Sequence, residues 1–226
     1  MPIKNIIFDL GGVIIDLDYN LTSKAFNQLG VHDFNEVYSQ SKQDHLFDDF
    51  DIGKISSDEF RCILKKKLGI EVNDEKFDIA WNAMLLDIPK QRLDFIKELG
   101  KNYNVFLLSN TNDIHLKEVF NICQRQNGFS TFEGYFSKEY YSNQLGMRKP
   151  NPEAFNAILT ENKIEARETL FIDDTLPHVL GARRVGLHAI HLTPEKSIFE
   201  VVKFIEEINK ISQSEESDLT HRFQAK

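Results

Sequence analysis

The sequence predicts an α/β fold in which a doubly wound parallel sheet carries an inserted helical domain. Short apolar runs that are typical of buried parallel strands alternate with helix patterns along most of the chain. After the first of these runs, about 70 residues have helix patterns before the next strand begins. Because strands that alternate with helices form one parallel sheet with helices on both faces, we expect a single sheet with a helical insertion after its first strand.

The predicted strands are short and apolar, and several of them end in polar residues. They are Ile6–Phe8, Val105–Leu108, Thr169–Ile172 and His188–His191.

Helix patterns separate these strands. Leu93, Ile96 and Leu99 share one helix face, and we expect Gly100 to end that helix. A second helix is predicted to start near Asp113. A third is predicted to start after Asn151, with proline at its first position.

The predicted insertion covers residues 16–88. One of its helices opens with the capping pattern Ser56–Glu59, and Pro89 marks the return to the sheet. We therefore divide the chain into a core domain of residues 1–15 and 89–212 and a helical domain of residues 16–88. The polar residues 213–226 are predicted to form a flexible tail.

Composition and charge narrow the class of protein. The 226 residues are 41% hydrophobic and 27% charged, which excludes a fibrous or wholly disordered chain. The apolar runs are too short to span a bilayer, and the first residues lack a signal-peptide pattern, so we expect a cytoplasmic protein. Cys62 and Cys123 lack the spacing of a metal or redox motif, which fits that location.

The net charge of −8 repels polyanions. Nucleic acids and anionic membranes are therefore excluded as expected partners. An anionic substrate would need positive charge concentrated at its binding site.

The strand ends are the places to look for a site, because ligands of open α/β sheets bind at the carboxyl ends of the strands. Asp9 follows the first strand and is followed by Gly11 and Gly12. Asp9 could cap a turn. Alternatively, it could act as a nucleophile or a metal ligand, with the two glycines allowing the backbone to approach a bound ligand closely.

Two further segments offer groups that bind anions. Ser109 and Asn110 end the second strand, and such hydroxyl and amide groups either donate hydrogen bonds to an oxyanion or cap the next helix. Lys149 is followed by Pro150 and a helix N-terminus. That is an unfavourable place for a cation unless an anion binds there; the alternative is an ordinary solvated lysine.

Asp173 and Asp174 end another buried strand and repel each other unless a cation compensates them. Oxygen ligands favour Mg²⁺, and the histidines are too scattered for a zinc site, so we interpret His178, His188 and His191 as structural.

In this order the four motifs resemble those of the haloacid dehalogenase-like (HAD) hydrolase superfamily, over residues 3–205. The helical insertion is similar to the superfamily's α-helical cap. The segments that start at Asp9, Leu108 and Leu145 are most similar to the bacterial α-D-glucose-1-phosphate phosphatases.

The resemblance implies a nucleophile, a metal site and a phosphate site. Asp9 would attack phosphorus and form an aspartyl-phosphate, and Lys149 would neutralise both Asp9 and the phosphoryl group. Ser109 and Asn110 would hold phosphate oxygens. Mg²⁺ would be bound by Asp9, the Gly11 carbonyl, Asp174 and, directly or through water, Asp173.

The sequence departs from the superfamily pattern at Gly11, where most phosphatases have a second aspartate that transfers protons. The glucose-1-phosphate phosphatases share this glycine. Asp16 or Asp18 are candidates to replace the aspartate. His178 stands where asparagine is usual, and we expect it to act indirectly.

Residues of the helical domain would select the substrate. The candidates by composition are His45, Phe47, Asp48, Asp49 and Trp81, and each could equally belong to the core or the surface of that domain.

We expect a Mg²⁺-dependent phosphatase that acts on a small phosphorylated metabolite, such as the sugar phosphate glucose 1-phosphate. The alternatives are a β-phosphoglucomutase, a metal-independent 2-haloacid dehalogenase and a non-catalytic protein that binds a phosphorylated ligand. The oligomeric state stays open.

Overall fold

A five-stranded parallel sheet forms the centre of the molecule. The computed structural model describes residues 1–32, 34–43 and 45–210, so the predicted tail lies outside the described residues. The strands are β1 (Asn5–Phe8), β2 (Asn104–Ser109), β3 (Lys138–Tyr141), β4 (Thr169–Asp173) and β5 (His188–His191). Their order is β3-β2-β1-β4-β5, and every neighbouring pair is parallel. The predicted α/β class with a doubly wound parallel sheet is confirmed.

The edge strand β3 has no counterpart among the predicted strands. Its residues Lys138 and Glu139 are polar, and only Tyr140 and Tyr141 are buried. An edge strand next to solvent needs no continuous apolar run, so the pattern that identifies the central strands is missing here.

Six helices lie between β1 and β2 within the described residues. They are α1 (Tyr19–Gln28), α2 (Phe34–Gln43), α3 (Leu46–Asp51), α4 (Ser57–Leu68), α5 (Asp74–Asn82) and α6 (Lys90–Leu99). The predicted capping pattern opens α4, where the Ser56 side chain accepts from the Glu59 amide and the Glu59 side chain accepts from the Ser56 amide. After α6, Gly100 has a right-handed φ of −61°, so this helix end does not depend on the freedom of glycine.

The remaining helices follow the later strands. They are α7 (Asp113–Asn127), α8 (Ser142–Leu145), α9 (Pro152–Asn162) and α10 (Leu176–Arg184), and residues 201–210 are also helical. Asn112 caps α7 by accepting a hydrogen bond from the His115 amide, and Pro152 is the first residue of α9, as the sequence predicts.

Helices cover both faces of the sheet because the strand side chains alternate between the faces. Ile6 and Phe8 pack in a cluster with side chains of α6, α7 and residues 201–210. Ile7 packs in a second cluster with side chains of α9 and α10. None of the helices that the structure describes combines the length and apolarity needed to cross a membrane.

The helices α1–α5 have an aromatic core of their own. Phenylalanines from all five of them are buried there together with Trp81, and the Phe50 and Phe60 rings stack with centroids 4.1 Å apart. Ile114 of α7 joins this cluster. This contact places helices α1–α5, which we call the helical layer, above the carboxyl end of β2.

Candidate active site

The ends of the two central strands bring Asp9 and Asp173 together. β1 and β4 pair in register, with Phe8 opposite Ile172. The backbone amide of Asp9 continues this pairing by donating to the Ile172 carbonyl oxygen at 2.9 Å. The polar residues that follow the two strands are therefore neighbours at the centre of the sheet, where the strand order reverses direction.

Lys149 bridges these two carboxylates. Its Nζ lies 2.6 Å from Asp9 Oδ1 and 2.7 Å from Asp173 Oδ2, and the side chain is only 1% exposed. The interpretation of Lys149 as an ordinary solvated lysine is therefore excluded. Charge-assisted hydrogen bonds of this length fix the ammonium group beside Asp9.

Asn110 holds the backbone of Lys149 in place. Its side-chain Oδ1 accepts from the Lys149 amide, and its Nδ2 donates to the Lys149 carbonyl oxygen, both at 2.9 Å. The Asn110 side chain thus positions the lysine, while its neighbour Ser109 lies on the wall of the adjacent cavity. The helix-capping role that the sequence also allowed belongs to Asn112.

Burial and charge shift the pKa values of the bridged groups. Burial raises the pKa of Asp9 to about 7, even though Lys149 opposes the shift. For Asp173, burial is outweighed by Lys149 and His178, which lower its pKa to about 2. For Lys149, burial is outweighed by Asp173 and Asp9, which raise its pKa and keep it charged.

Three carboxylates form a cluster that could hold a metal ion. Asp9, Asp173 and Asp174 each offer an oxygen within 4.8 Å of the other two. Burial and the nearby Asp173 raise the pKa of Asp174, and the hydrogen bond from Thr175 and the charge of Lys149 offset only part of this shift. Gly12 has a left-handed φ of +69°, and a Cβ there would overlap the Asp174 carboxylate. An all-oxygen donor set of this kind fits Mg²⁺.

Both oxygens of Asp173 already have protein partners. Oδ2 accepts from Lys149, and Oδ1 accepts from the Thr175 amide at 2.7 Å. His178 Nδ1 lies 3.1 Å from both oxygens. His178 therefore touches the cluster through Asp173, as its position in the sequence suggested, whereas His191 contacts the Asp174 carbonyl oxygen.

A cavity of about 250 Å³ joins this cluster to the helical layer. On the sheet side it is lined by most of the predicted site residues, which are Asp9, Gly11, Ser109, Asn110, Lys149 and Asp174. On the opposite side it is lined by residues of α2, α3 and α5, including Tyr38, Asp51 and Trp81. A space of this size suits a small ligand.

The candidate substrate-selecting residues divide into two groups. Phe47 and Trp81 line the cavity, although both also belong to the aromatic core. His45, Asp48 and Asp49 do not line it. Asp48 instead pairs with Arg148, and Asp49 pairs with Lys54.

Sequence reasoning missed several cavity residues, among them Tyr19, Tyr38, Asp51, His115 and Arg148. Arg148 stands next to Lys149 in the same motif, which is a usable signal. Asp51 belongs to a run of three nearby aspartates, and composition does not show which of the three faces the cavity.

The expectation that Asp16 or Asp18 replaces the missing proton-transferring aspartate is not supported. Asp16 pairs with Arg92 at 2.8 Å, and Asp18 caps α1 by accepting from the Asn20 amide at 3.0 Å. Neither lines the cavity. Both carboxylates lie in the segment that connects β1 to α1 and have structural partners there.

The fold and the site define an α/β enzyme with a carboxylate and a buried lysine at the carboxyl ends of its central strands. Comparison with known families assigns the family. Residues 3–186 match the model of the haloacid dehalogenase-like hydrolase family, so the chain belongs to that family. The resemblance inferred from the four motifs is confirmed.

Individual relatives agree with this assignment. The chain is 35% identical over 184 residues to a D-ribitol-5-phosphate phosphatase of Bacteroides thetaiotaomicron, covering 81% of this chain and 89% of the relative. It is 27% identical to a sesquiterpene phosphatase of Aspergillus oryzae, covering 84% and 90%. A crystal structure of a HAD family enzyme from Bacteroides thetaiotaomicron, in complex with magnesium and inorganic phosphate, is 36% identical with a TM-score of 0.81, covering 88% of this chain and 98% of that one.

Proposed function

We propose that this chain is a Mg²⁺-dependent phosphatase that hydrolyses a small sugar phosphate or polyol phosphate through an aspartyl-phosphate intermediate. The observation that carries the proposal is the buried Lys149 between Asp9 and Asp173, with Asp174 beside them, at the base of a small cavity. The likeness to a named D-ribitol-5-phosphate phosphatase supports the substrate class. The motif resemblance to the α-D-glucose-1-phosphate phosphatases keeps glucose 1-phosphate as a second candidate of the same class.

Asp9, Asp174 and the Gly11 carbonyl would hold the magnesium ion, and Asp173 would orient Lys149 and the surrounding groups. When bound, Mg²⁺ supplies positive charge that offsets the clustered carboxylates and the phosphoryl oxygens. This charge favours the ionised form of Asp9, whose pKa is otherwise raised to about 7, chiefly by burial.

The Asp9 carboxylate attacks phosphorus, and the bond between phosphorus and the ester oxygen breaks as the new bond forms. Lys149 holds Asp9 in position and neutralises charge on the phosphoryl group, while Ser109 and the Asn110 backbone hold phosphoryl oxygens. Water then attacks the aspartyl-phosphate, which releases phosphate and restores Asp9. The departing alcohol takes its proton from water, because Gly11 has no group that could donate one.

We assign residues 1–15 and 89–212 to the core domain and residues 16–88 to a cap domain. Two connecting segments join them, and they are hydrogen-bonded to each other. The Asp16 amide donates to the Asp87 carbonyl oxygen at 2.9 Å, and the Leu86 amide donates to the Asp16 carbonyl oxygen at 3.0 Å. A cap on such a paired connection would close over the phosphoryl group and exclude bulk water.

The proposal is tested by hydrolysis of p-nitrophenyl phosphate and of D-ribitol 5-phosphate, each with Mg²⁺ and with EDTA. We expect turnover that requires Mg²⁺ and that Asp9→Asn abolishes. Asp94→Asn is the matched control, because Asp94 is an exposed carboxylate paired with Lys90 and lies outside the cavity. Binding of Mg²⁺ and phosphate without turnover would contradict the proposal and support a non-catalytic protein, and metal-independent halide release from 2-chloropropionate would support a dehalogenase.

A further inference from the structure

Asp51 is a half-buried carboxylate that faces the candidate active site from helices α1–α5. It is the last residue of α3, its side chain is 21% exposed, and it lines the same cavity as Asp9. It has no contact with the three clustered carboxylates in the structure, so the proposed metal site does not explain its position.

The hydrogen-bonding capacity of Asp51 is largely unused. Within the described part of the chain, its one hydrogen bond comes from Asn112 Nδ2 to Oδ1, at a long 3.4 Å. The Arg148 Nη2 atom lies 3.6 Å from Oδ2, which is too far for a hydrogen bond. Because an ionised carboxylate has about four acceptor positions, most of them remain open.

Burial raises the pKa of Asp51 to about 6, against the effect of the Asn112 hydrogen bond. At neutral pH the group is therefore charged, although its protein partners compensate little of the cost of burial. Leaving a buried acceptor without donors is unfavourable, so a group in this state needs hydrogen-bond donors from a ligand or from water.

The neighbours of Asp51 on the cavity wall offer complementary groups. Trp81 is 4% exposed, and its Nε1 is buried without a hydrogen-bond partner among the described residues. Its ring stacks on His115, with centroids 5.2 Å apart. His115 Nδ1 lies 2.8 Å from Asn82 Oδ1, and this contact assigns the proton to Nδ1 and leaves Nε2 as an acceptor.

We propose that Asp51, together with Arg148, Trp81 and His115, binds the hydroxyl groups of the substrate and thereby selects phosphomonoesters of polyhydroxylated alcohols over those of apolar alcohols. Hydroxyl groups donate to Asp51 and His115 and accept from Arg148 and Trp81, so a polyol satisfies both kinds of group. An alkyl chain would exclude water from the Asp51 carboxylate and would donate no hydrogen bond to it. The inference rests on the proposed function and adds the residues that determine specificity.

The test compares D-ribitol 5-phosphate with pentyl phosphate, which has the same number of carbon atoms and no hydroxyl groups. Asp51→Leu keeps the approximate shape of the side chain and removes every acceptor. We expect it to lower kcat/KM for D-ribitol 5-phosphate about 10- to 100-fold, as for lost hydrogen bonds to a charged group, and to change kcat/KM for pentyl phosphate less than about threefold.

Two further variants complete the design. Asp51→Asn keeps one acceptor and should cause a smaller loss on the polyol ester than Asp51→Leu, and it provides the same comparison of substrates if the leucine variant does not fold. Asp49→Asn is the matched control, because Asp49 lies on the same helix, pairs with Lys54 and does not line the cavity. We expect it to leave both rates unchanged.

Three outcomes would overturn the inference. An equal loss on both esters would make Asp51 a structural residue or a general participant in the reaction. Unchanged rates in the Asp51 variants, or a wild-type preference for pentyl phosphate, would show that it does not select hydroxyl groups. If the wild-type protein hydrolyses neither these esters nor p-nitrophenyl phosphate in the presence of Mg²⁺, it is the proposed function that fails.

Discussion

Replacing Asp51 by asparagine should stabilise the fold at neutral pH. Burial raises the pKa of Asp51 from 3.8 to about 6. A shift of roughly two pKa units corresponds to about 3 kcal/mol of free energy of unfolding. Because Arg148 Nη2 lies 3.6 Å from the carboxylate and offsets part of the cost of ionisation, about 3 kcal/mol is an upper limit.

The sign of this effect follows from proton binding. Below a pH of about 3.8 the carboxyl is protonated in both the folded and the unfolded chain, and its ionisation costs nothing. Between about 4 and 6 the unfolded chain loses the proton first, so the stability of the wild-type protein falls as the pH rises. Above about pH 6 the carboxyl is ionised in both states, and the full cost of ionising it in the folded protein lowers the stability. Asparagine does not ionise, so its advantage should be absent at pH 3.5 and largest at pH 7.5.

Urea unfolding of the wild-type protein and Asp51→Asn at pH 3.5 and pH 7.5, in EDTA, measures this difference. At pH 7.5 the free energy of unfolding of the variant should be higher by up to about 3 kcal/mol, which in thermal unfolding corresponds to a melting temperature roughly 6–12 °C higher. Asp49→Asn, which removes a partly exposed ion pair with Lys54, should shift the free energy of unfolding by less than about 1 kcal/mol at both pH values. A variant that is less stable than the wild-type protein at pH 7.5, or a difference that does not depend on pH, would refute the reasoning.

Three further predictions concern the site at the strand ends. Lys149→Met should lower kcat/KM by at least about 100-fold, because it leaves two buried carboxylates without their cation. For the same reason it should lower the free energy of unfolding in EDTA by about 3–5 kcal/mol. A loss below about 1 kcal/mol in urea unfolding would contradict this expectation. Gly12→Ala should weaken Mg²⁺ binding in calorimetric titration, because its Cβ would overlap Asp174, and unchanged affinity would be evidence against Asp174 as a ligand. Gly11 cannot protonate the departing oxygen, so the rate should depend on how easily that oxygen leaves without a proton. When chemistry limits the rate, kcat should therefore be higher for p-nitrophenyl phosphate than for alkyl phosphates. Equal single-turnover rates would point to a proton donor elsewhere.

The central strands and the residues that follow them were predictable because one physical rule covers both. Buried parallel strands are short apolar runs, so the sequence marks where β1, β2 and β4 end. The carboxyl ends of parallel strands meet at one edge of the sheet, so Asp9, Ser109 and Asp173 had to be neighbours. Lys149 follows no predicted strand, and its place was signalled only by the adjacent proline and helix N-terminus.

The helical layer was predictable as a set of helices but not as a binding surface. Its amphipathic patterns show which positions are apolar, but the wall of the cavity depends on how the helices pack against α7 and on the direction of single side chains. Asp48, Asp49 and Asp51 illustrate the limit, since one helix carries all three and only Asp51 lines the cavity. Edge strand β3 was not predicted for a related reason, because its buried residues are two tyrosines in a polar segment.

The charges around the cavity imply an order of binding. Asp9, Asp51, Asp173 and Asp174 surround or adjoin the cavity, and the cations among the described residues that line it are Lys149 and Arg148. With these carboxylates ionised, the formal charge is negative, which repels a phosphate dianion at close range. A divalent cation at the three clustered carboxylates cancels this negative charge. We therefore expect phosphate to bind measurably with Mg²⁺ present and at least about 10-fold more weakly in EDTA, in calorimetric titrations at pH 7.5. Equal phosphate affinity under both conditions would mean that Lys149 alone captures the anion.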